Sequence, residues 1–165
     1  MPWMRRGSRA CAPAVWVQNN AMPDRPIRDM IRRGKLVTAA ESTTVADAAR
    51  KMKEARVGAL LVMDGDRLVG VFTERDALNR VLAEALDPAR TRLGQVMTRD
   101  PDTISSDKPF GHALIMMYDH GYRHMPVVED GKAVGIVSMR DAAPPELKDL
   151  EVDLEQREHI REILG

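Results

Sequence analysis

Val69-Gly70-Val71-Phe72-Thr73-Glu74-Arg75-Asp76-Ala77 returns as Val134-Gly135-Ile136-Val137-Ser138-Met139-Arg140-Asp141-Ala142, an offset of 65 residues. Self-similarity at a fixed offset decides the architecture before any single element is read. Without a gap, the same offset carries Leu61-Val62-Met63-Asp64 onto Pro126-Val127-Val128-Glu129 and Thr38 onto Thr103. It also lays Val45, Ala48, Ala49 and Met52, spaced as one helix face, over Phe110, Ala113, Leu114 and Met117.

Working outward, each copy reads as a short strand at Thr38 or Thr103, an amphipathic helix of about three turns and two β-rich runs. The runs are Ala59 to Met63 with Arg67 to Thr73, then His124 to Val128 with Lys132 to Ser138. Asp64-Gly65-Asp66 and Glu129-Asp130-Gly131 supply the turn residues that join each pair as a hairpin. A second helix is predicted next, with Ala77, Leu78, Val81, Leu82 and Leu86 on one apolar face.

These signals divide the chain into a leader (1–25), copy one (26–86), a linker (87–92), copy two (93–145) and a tail (146–165). Ile27 to Ile31 is the counterpart of Leu93 to Met97 at the start of each copy. In the tail, Leu147, Leu150, Leu154 and Ile160 fall at helical spacing, which predicts an exposed or partner-covering helix. Glu151 to Glu158 reads as its solvated face. Neither copy alone has apolar surface enough for a core, so the expected fold is α/β (α+β), with two β-α-β-β-α units packed about a pseudo-twofold axis.

Composition excludes several classes of function. The 165 residues are 44% hydrophobic, and 25 basic side chains balance 25 acidic ones. No overall field draws the protein to nucleic acid or to an anionic membrane, and aromatic residues are few. The apolar runs fall short of the ~20 residues that a spanning helix needs. Cys11 stands alone, which removes a disulfide framework and a cysteine-based metal site. Arg5, Arg6 and Arg9 before Ala10 to Val17 faintly resemble a signal peptide, but Pro13 breaks the run and no cleavage site follows. The stretch, with Trp3 and Trp16, reads as a flexible leader or as an early start before Met22, and the protein as cytoplasmic.

The repeated chemistry is Gly70-x-x-Thr73-x-x-Asp76 and Gly135-x-x-Ser138-x-x-Asp141, each at a strand end running into a helix. A hydroxyl and free N–H groups at a helix start suit a phosphate or sugar oxygen. A carboxylate three residues on has two acceptor oxygens, matching the 2′ and 3′ hydroxyls of a ribose. The same spacing is also a capping box that needs no ligand. Two copies in register, each with the preceding glycine and an Arg-Asp pair, favour binding over capping alone.

With Tyr122-Arg123-His124-Met125-Pro126-Val127 leading into a strand, the chain resembles the cystathionine-β-synthase (CBS) domain family over residues 27 to 143. The pair resembles a Bateman module. The resemblance implies two adenosine-nucleotide sites in a cleft, each built from both copies. The first would take Thr73 and Asp76 with Thr103, Tyr122, Arg123, His124 and Met125. The second would take Ser138 and Asp141 with Thr38, Val57, Gly58, Ala59 and Leu60. In the family the aspartate grips ribose, backbone groups near the first strand read adenine, and basic side chains meet phosphate.

Arg123 and His124 in copy two have Gly58 and Ala59 as their images, so the two sites should differ. The Asp76 site is expected to take compact, highly charged nucleotides such as AMP, ADP or ATP, and the Asp141 site adenosine or the adenosine half of NAD. Arg75 and Arg140 are candidates for phosphate or for surface ion pairs, and Met52, Met116 and Met117 for adaptable core filler. His112, His120 and His124 make a poor metal set, because Gly121 interrupts the helical register and no fourth ligand is evident. There is no nucleophile-base pair and no P-loop, so the chain reads as a regulatory homodimer signalling to an effector protein in trans, not as an enzyme. The competing reading is a dimeric interaction module whose clefts stay empty.

Overall fold

The computed structural model describes residues 25–31 and 36–164. The leader before Arg25, with Cys11, Trp3, Trp16 and Met22, lies outside the described residues. Copy one runs β1 (Thr38–Ala40), α1 (Val45–Ala55), β2 (Ala59–Asp64), β3 (Arg67–Thr73) and the single turn α2 (Glu74–Asp76), which continues as a π-helix (Ala77–Leu82). Then follow α3 (Leu93–Val96), β4 (Thr98–Arg99), β5 (Ile104–Ser105), α4 (Phe110–His120), β6 (His124–Glu129) and β7 (Lys132–Ser138). A 3-10 turn (Met139–Asp141) leads to α5 (Pro144–Leu164).

The repeat holds down to the hydrogen-bond register. Ala59 pairs with Thr73 in one hairpin and His124 with Ser138 in the other. Val62 opposes Gly70 as Val127 opposes Gly135, and each hairpin bulges at the next residue, Met63 or Val128. β1 pairs parallel to β2, and β5 parallel to β6. β4 adds antiparallel to β3, giving sheets of order β1-β2-β3-β4 and β5-β6-β7. Thr103 lies just ahead of β5 and not within it, a one-residue difference from the expected strand.

β2 is a run of apolar residues because both of its faces are covered. Leu60 and Val62 join Val45, Ala48 and Met52 of α1 with Phe72 and Val81 in the first core. Ala59 and Leu61 face the other way and meet Ala133 and Ile136 of β7, which joins the two copies sheet to sheet. The second core gathers Phe110, Ala113, Leu114 and Met117 of α4 with Met125, Val127, Val137 and Leu150. Met52 and Met117 are core filler as expected, and Met116 packs at the edge.

The segment that leads into each copy packs on the other copy. Ile27 is fully buried in the second core, and Leu93, Val96 and Met97 in the first. The backbone bonds are reciprocal: Ile27 N donates to Lys108 O and Phe110 N to Arg25 O, while Leu93 N donates to Thr43 O and Val45 N to Thr91 O. This exchange explains the two glycines of the motif. A Cβ on Gly70 would lie 2.5 Å from Met97 Sδ, and one on Gly135 would overlap the Ile31 Cγ2 methyl.

Two helix expectations change. Ala49 is exposed whereas its image Leu114 is buried, and Leu78, Leu82 and Leu86 are 55%, 72% and 43% exposed, leaving Val81 as the buried anchor. The wide π winding moves Leu78 and Leu82 off the face that a 3.6-residue period predicts. The tail helix covers copy two's own core with Leu150 and Leu154, while Leu147 and Ile160 face outward. Pro144 and Pro145 start it, where a missing N–H costs nothing.

Candidate functional site

A cavity of about 390 Å³ opens between the copies. Copy one contributes the end of β3 and the start of α2, with Thr73, Glu74, Arg75, Asp76 and Arg80. Copy two contributes Gly121, Tyr122, Arg123, His124 and Pro126 from the turn that enters β6. The third wall is Thr98, Asp100, Pro101 and Asp102, from the lead-in of copy two. The size lies within the range of small-molecule sites.

Each wall has a local cause. Gly121 closes α4 in the left-handed region (φ 73), which turns the chain sharply so that Tyr122 and Arg123 face copy one. Glu74 N donates to Gly58 O, and its image Met139 N donates to Arg123 O, so each helix start is tied to the strand lead-in of its own copy. Arg75 Nη1 donates to Gly121 O and closes the cleft from the opposite side.

Asp76 is 9% exposed and acts first as a cap. Its Oδ2 accepts from Thr73 N at 2.9 Å and Thr73 Oγ1 at 2.7 Å, and its own N–H donates back to Thr73 Oγ1. Oδ1 stands 3.3 Å from Arg80 Nε. The expected pair of open acceptors is therefore reduced to one, Oδ1, which shares a cation. Arg80 also donates to Val96 O and Thr98 Oγ1, binding the carboxylate's helix to the third wall. Asp141 repeats the cap, accepting from Ser138 N and Oγ on Oδ2, but it is exposed.

Tyr122 and His124 sit in a partly dry setting. Burial, with Asp102 beside it, pushes the Tyr122 phenol well above its ordinary range, and its hydroxyl donates to Asp102 Oδ2 at 3.1 Å. His120 Nδ1 lies 3.2 Å from the same hydroxyl and 3.3 Å from Asp102 Oδ2. Burial lowers the His124 imidazole, with Glu74 and Asp141 opposing the shift and Arg140 and Arg123 adding to it. The His124 ring packs on Gly58, where a Cβ would come within 3.1 Å of Nε2.

The structure thus brings Thr73, Asp76, Tyr122, Arg123 and His124 to one cavity. Met125 is fully buried behind it and Thr103 is exposed just beyond its Asp102 edge. Arg80, Thr98, Asp100, Pro101 and Asp102 were not singled out from sequence; the Asp100-Pro101 turn signal was their one available trace. Of the second set, Val57, Gly58 and Ser138 are half-buried, Ala59 and Leu60 are buried, and Thr38 is paired in β1. Arg140 lies 3.9 Å from Glu74 as a cross-copy ion pair. Among the described residues no three His, Cys, Asp or Glu side chains gather as a metal site requires.

Comparison with sequence families matches residues 27–83 and 93–143 to the CBS domain. The chain belongs to the CBS domain family. As a CBS pair it is 36% identical over 133 residues to the CBS domain-containing protein CBSCBSPB2 of Arabidopsis thaliana. That match covers 74% of this chain and 25% of the plant protein, so the chain spans about a quarter of its relative's length. Among solved structures, the CBS domain protein PAE2072 of Pyrobaculum aerophilum, complexed with AMP, aligns with a TM-score of 0.69 and 28% identity over 77% of this chain and 98% of that one. The CBS domain pair of protein MJ0100, in complex with 5′-methylthioadenosine and S-adenosyl-L-methionine, aligns at 0.64 and 27% over 71% and 95%.

Proposed function

We propose that this CBS pair is a cytoplasmic regulatory module that binds an adenosine nucleotide between its copies and passes the resulting change to another chain. The observation that carries the reading is convergence: the capped carboxylate of copy one and the Tyr122-Arg123-His124 turn of copy two line one cavity. A cap alone needs no second copy opposite it. The adenosine ligands of PAE2072 and of the MJ0100 pair support the same ligand class here.

In this reading Asp76 Oδ1 accepts from ribose, and Arg123 meets phosphate. The Asp141 site, more open and without an image of Arg123 or His124, takes adenosine or the adenosine half of NAD. Ligand binding stiffens the cleft, the module acts as a homodimer, and its output goes to an effector in trans.

Thermal melting with AMP, ATP, NAD and S-adenosylmethionine tests this. A ligand at 100 times its dissociation constant adds about 2.7 kcal/mol of stability, and flat profiles with all four would sink the proposal. A specific observation supports the competing interaction module: Oδ2 of each carboxylate is already used as a cap. Flat melts together with a dimeric mass in solution would establish that alternative.

A further inference from the structure

One ring touches both clefts. His124 lines the Asp76 cavity, and Gly58 does not. The same imidazole lies against Gly58, one of the residues expected at the Asp141 cleft: a Cβ there would come within 3.1 Å of His124 Nε2, 3.3 Å of Cε1 and 3.4 Å of Glu74 Cδ. Gly58 is outside the left-handed region, so it is the ring that demands a glycine and not the backbone. At the offset of 65, Gly58 and Ala59 are the images of Arg123 and His124. Where the two lead-ins meet there is room for one large side chain, which gives that asymmetry a physical cause.

The residues around the ring belong to both caps. Glu74, the first residue of α2, donates its N–H to Gly58 O, and its carboxylate lies 3.9 Å from Arg140, the neighbour of Asp141. His124 itself pairs in register with Ser138, and Met139 N donates to Arg123 O. Side chains take discrete rotamers and packed interiors leave few voids, so room given to the ring on one side is taken from the other. A ligand that fills the Asp76 cavity holds the ring on Gly58, and a ligand set against the 57–60 lead-in drives it towards the cavity.

Resting on the function proposed above, we infer that His124, seated on Gly58, couples the two clefts antagonistically, so that a ligand in either one weakens binding in the other. By linkage the effect is reciprocal, and Gly58 is a positioning residue for a cavity that it does not line.

The test is calorimetric titration of AMP, which carries the adenosine group proposed for both clefts. Asp141→Asn weakens the second cleft and so reports the first by itself, and Asp76→Asn does the converse. In the unaltered chain the second AMP is expected to bind about fivefold more weakly than these single-cleft affinities predict, at the lower end of coupling between sites. The same comparison in the His124→Ala background should give independent clefts. In the Asp141→Asn chain, adding Gly58→Ala should weaken AMP about threefold, a modest loss because the Cβ moves the ring by only part of a rotamer step. Adding His124→Ala to that chain should abolish the effect of the Gly58 methyl, and melting curves show that each variant is folded. Clefts that fill independently in the unaltered chain overturn the inference and leave the proposed function standing. So does a Gly58→Ala loss that persists without the His124 ring, and so does one AMP bound per chain that Asp141→Asn leaves untouched. Silence of every chain overturns the function, and this inference with it.

Discussion

Asp76 performs two jobs with two oxygens, and the jobs separate by substitution. Oδ2 closes the helix cap and Oδ1 stands beside Arg80. Asp76→Asn keeps a cap acceptor but removes the charge; since a hydrogen bond to a charged group contributes about 1.5 to 3 kcal/mol, AMP affinity should fall by one to two orders of magnitude. Thr73→Ala breaks the cap and leaves the carboxylate, so it should cost about 1 kcal/mol of stability and less affinity. Titration paired with melting distinguishes the two, and equal effects on binding would remove the division of labour. His124 makes a second residue-scale prediction. Its folded-state value lies below the unfolded one of about 6.5, so the unfolded chain binds more protons as the pH falls through that window. The His124 contribution is thus intact above about pH 6.5 and is lost on acidification towards its lowered folded value. Melting curves from pH 7.5 to 5 should fall less steeply for His124→Gln than for the unaltered chain.

At the scale of elements, the motif glycines serve the exchange of lead-in segments as well as the strand. A methyl on Gly135 would occupy the place of a β-branched Ile31 that cannot bend aside, whereas one on Gly70 overlaps chiefly the flexible Met97 side chain and stands 3.0 Å from the Thr98 carbonyl. Gly135→Ala should therefore cost about 1 to 3 kcal/mol, as overpacking does, and Gly70→Ala less, as read from urea midpoints. The reverse order would mean that the lead-ins are not packed as described. The hairpins and α1 and α4 were legible in sequence because period-2 and period-3.6 signals repeat at one offset. Thr73, Asp76, Tyr122, Arg123 and His124 were legible as a set because the repeat and the family resemblance marked them. The face of the second helix was not, since a π winding leaves the same leucines in the sequence but points Leu78 and Leu82 outward. Arg80, Asp100 and Asp102 were hidden for another reason: what places them at the cleft is the packing of one copy's lead-in on the other copy, which no local pattern encodes.

At the scale of the molecule, the two copies are fastened by reciprocal lead-ins, and Arg25 is where that fastening carries charge. Its guanidinium donates to both Glu146 oxygens, at 3.0 and 2.8 Å, and to Asp141 O, and it lies 5.7 Å over the Phe110 ring. Glu146 is 2% exposed and also accepts from Ala143 N. One cation thus joins the start of copy one to the start of α5 and to the turn that carries Asp141. Removing one partner of a buried pair costs about 3 to 5 kcal/mol; with the Arg25 side chain 39% exposed, solvent lowers the expected loss for Arg25→Met towards about 2 kcal/mol. Glu146→Gln keeps an acceptor for Ala143 N and removes the charge that Arg25 compensates. The double variant Arg25→Met/Glu146→Gln should then be more stable than the sum of the single losses allows, with a coupling of about 1 to 2 kcal/mol, as for residues in direct contact. If the pair also sets the Asp141 turn, the same cycle measured by ligand titration should show coupling at the second site and little at the Asp76 cleft. Strict additivity in both readouts would mean that Arg25 and Glu146 are neighbours only, and that the copies are held together by their sheets and by apolar lead-ins alone.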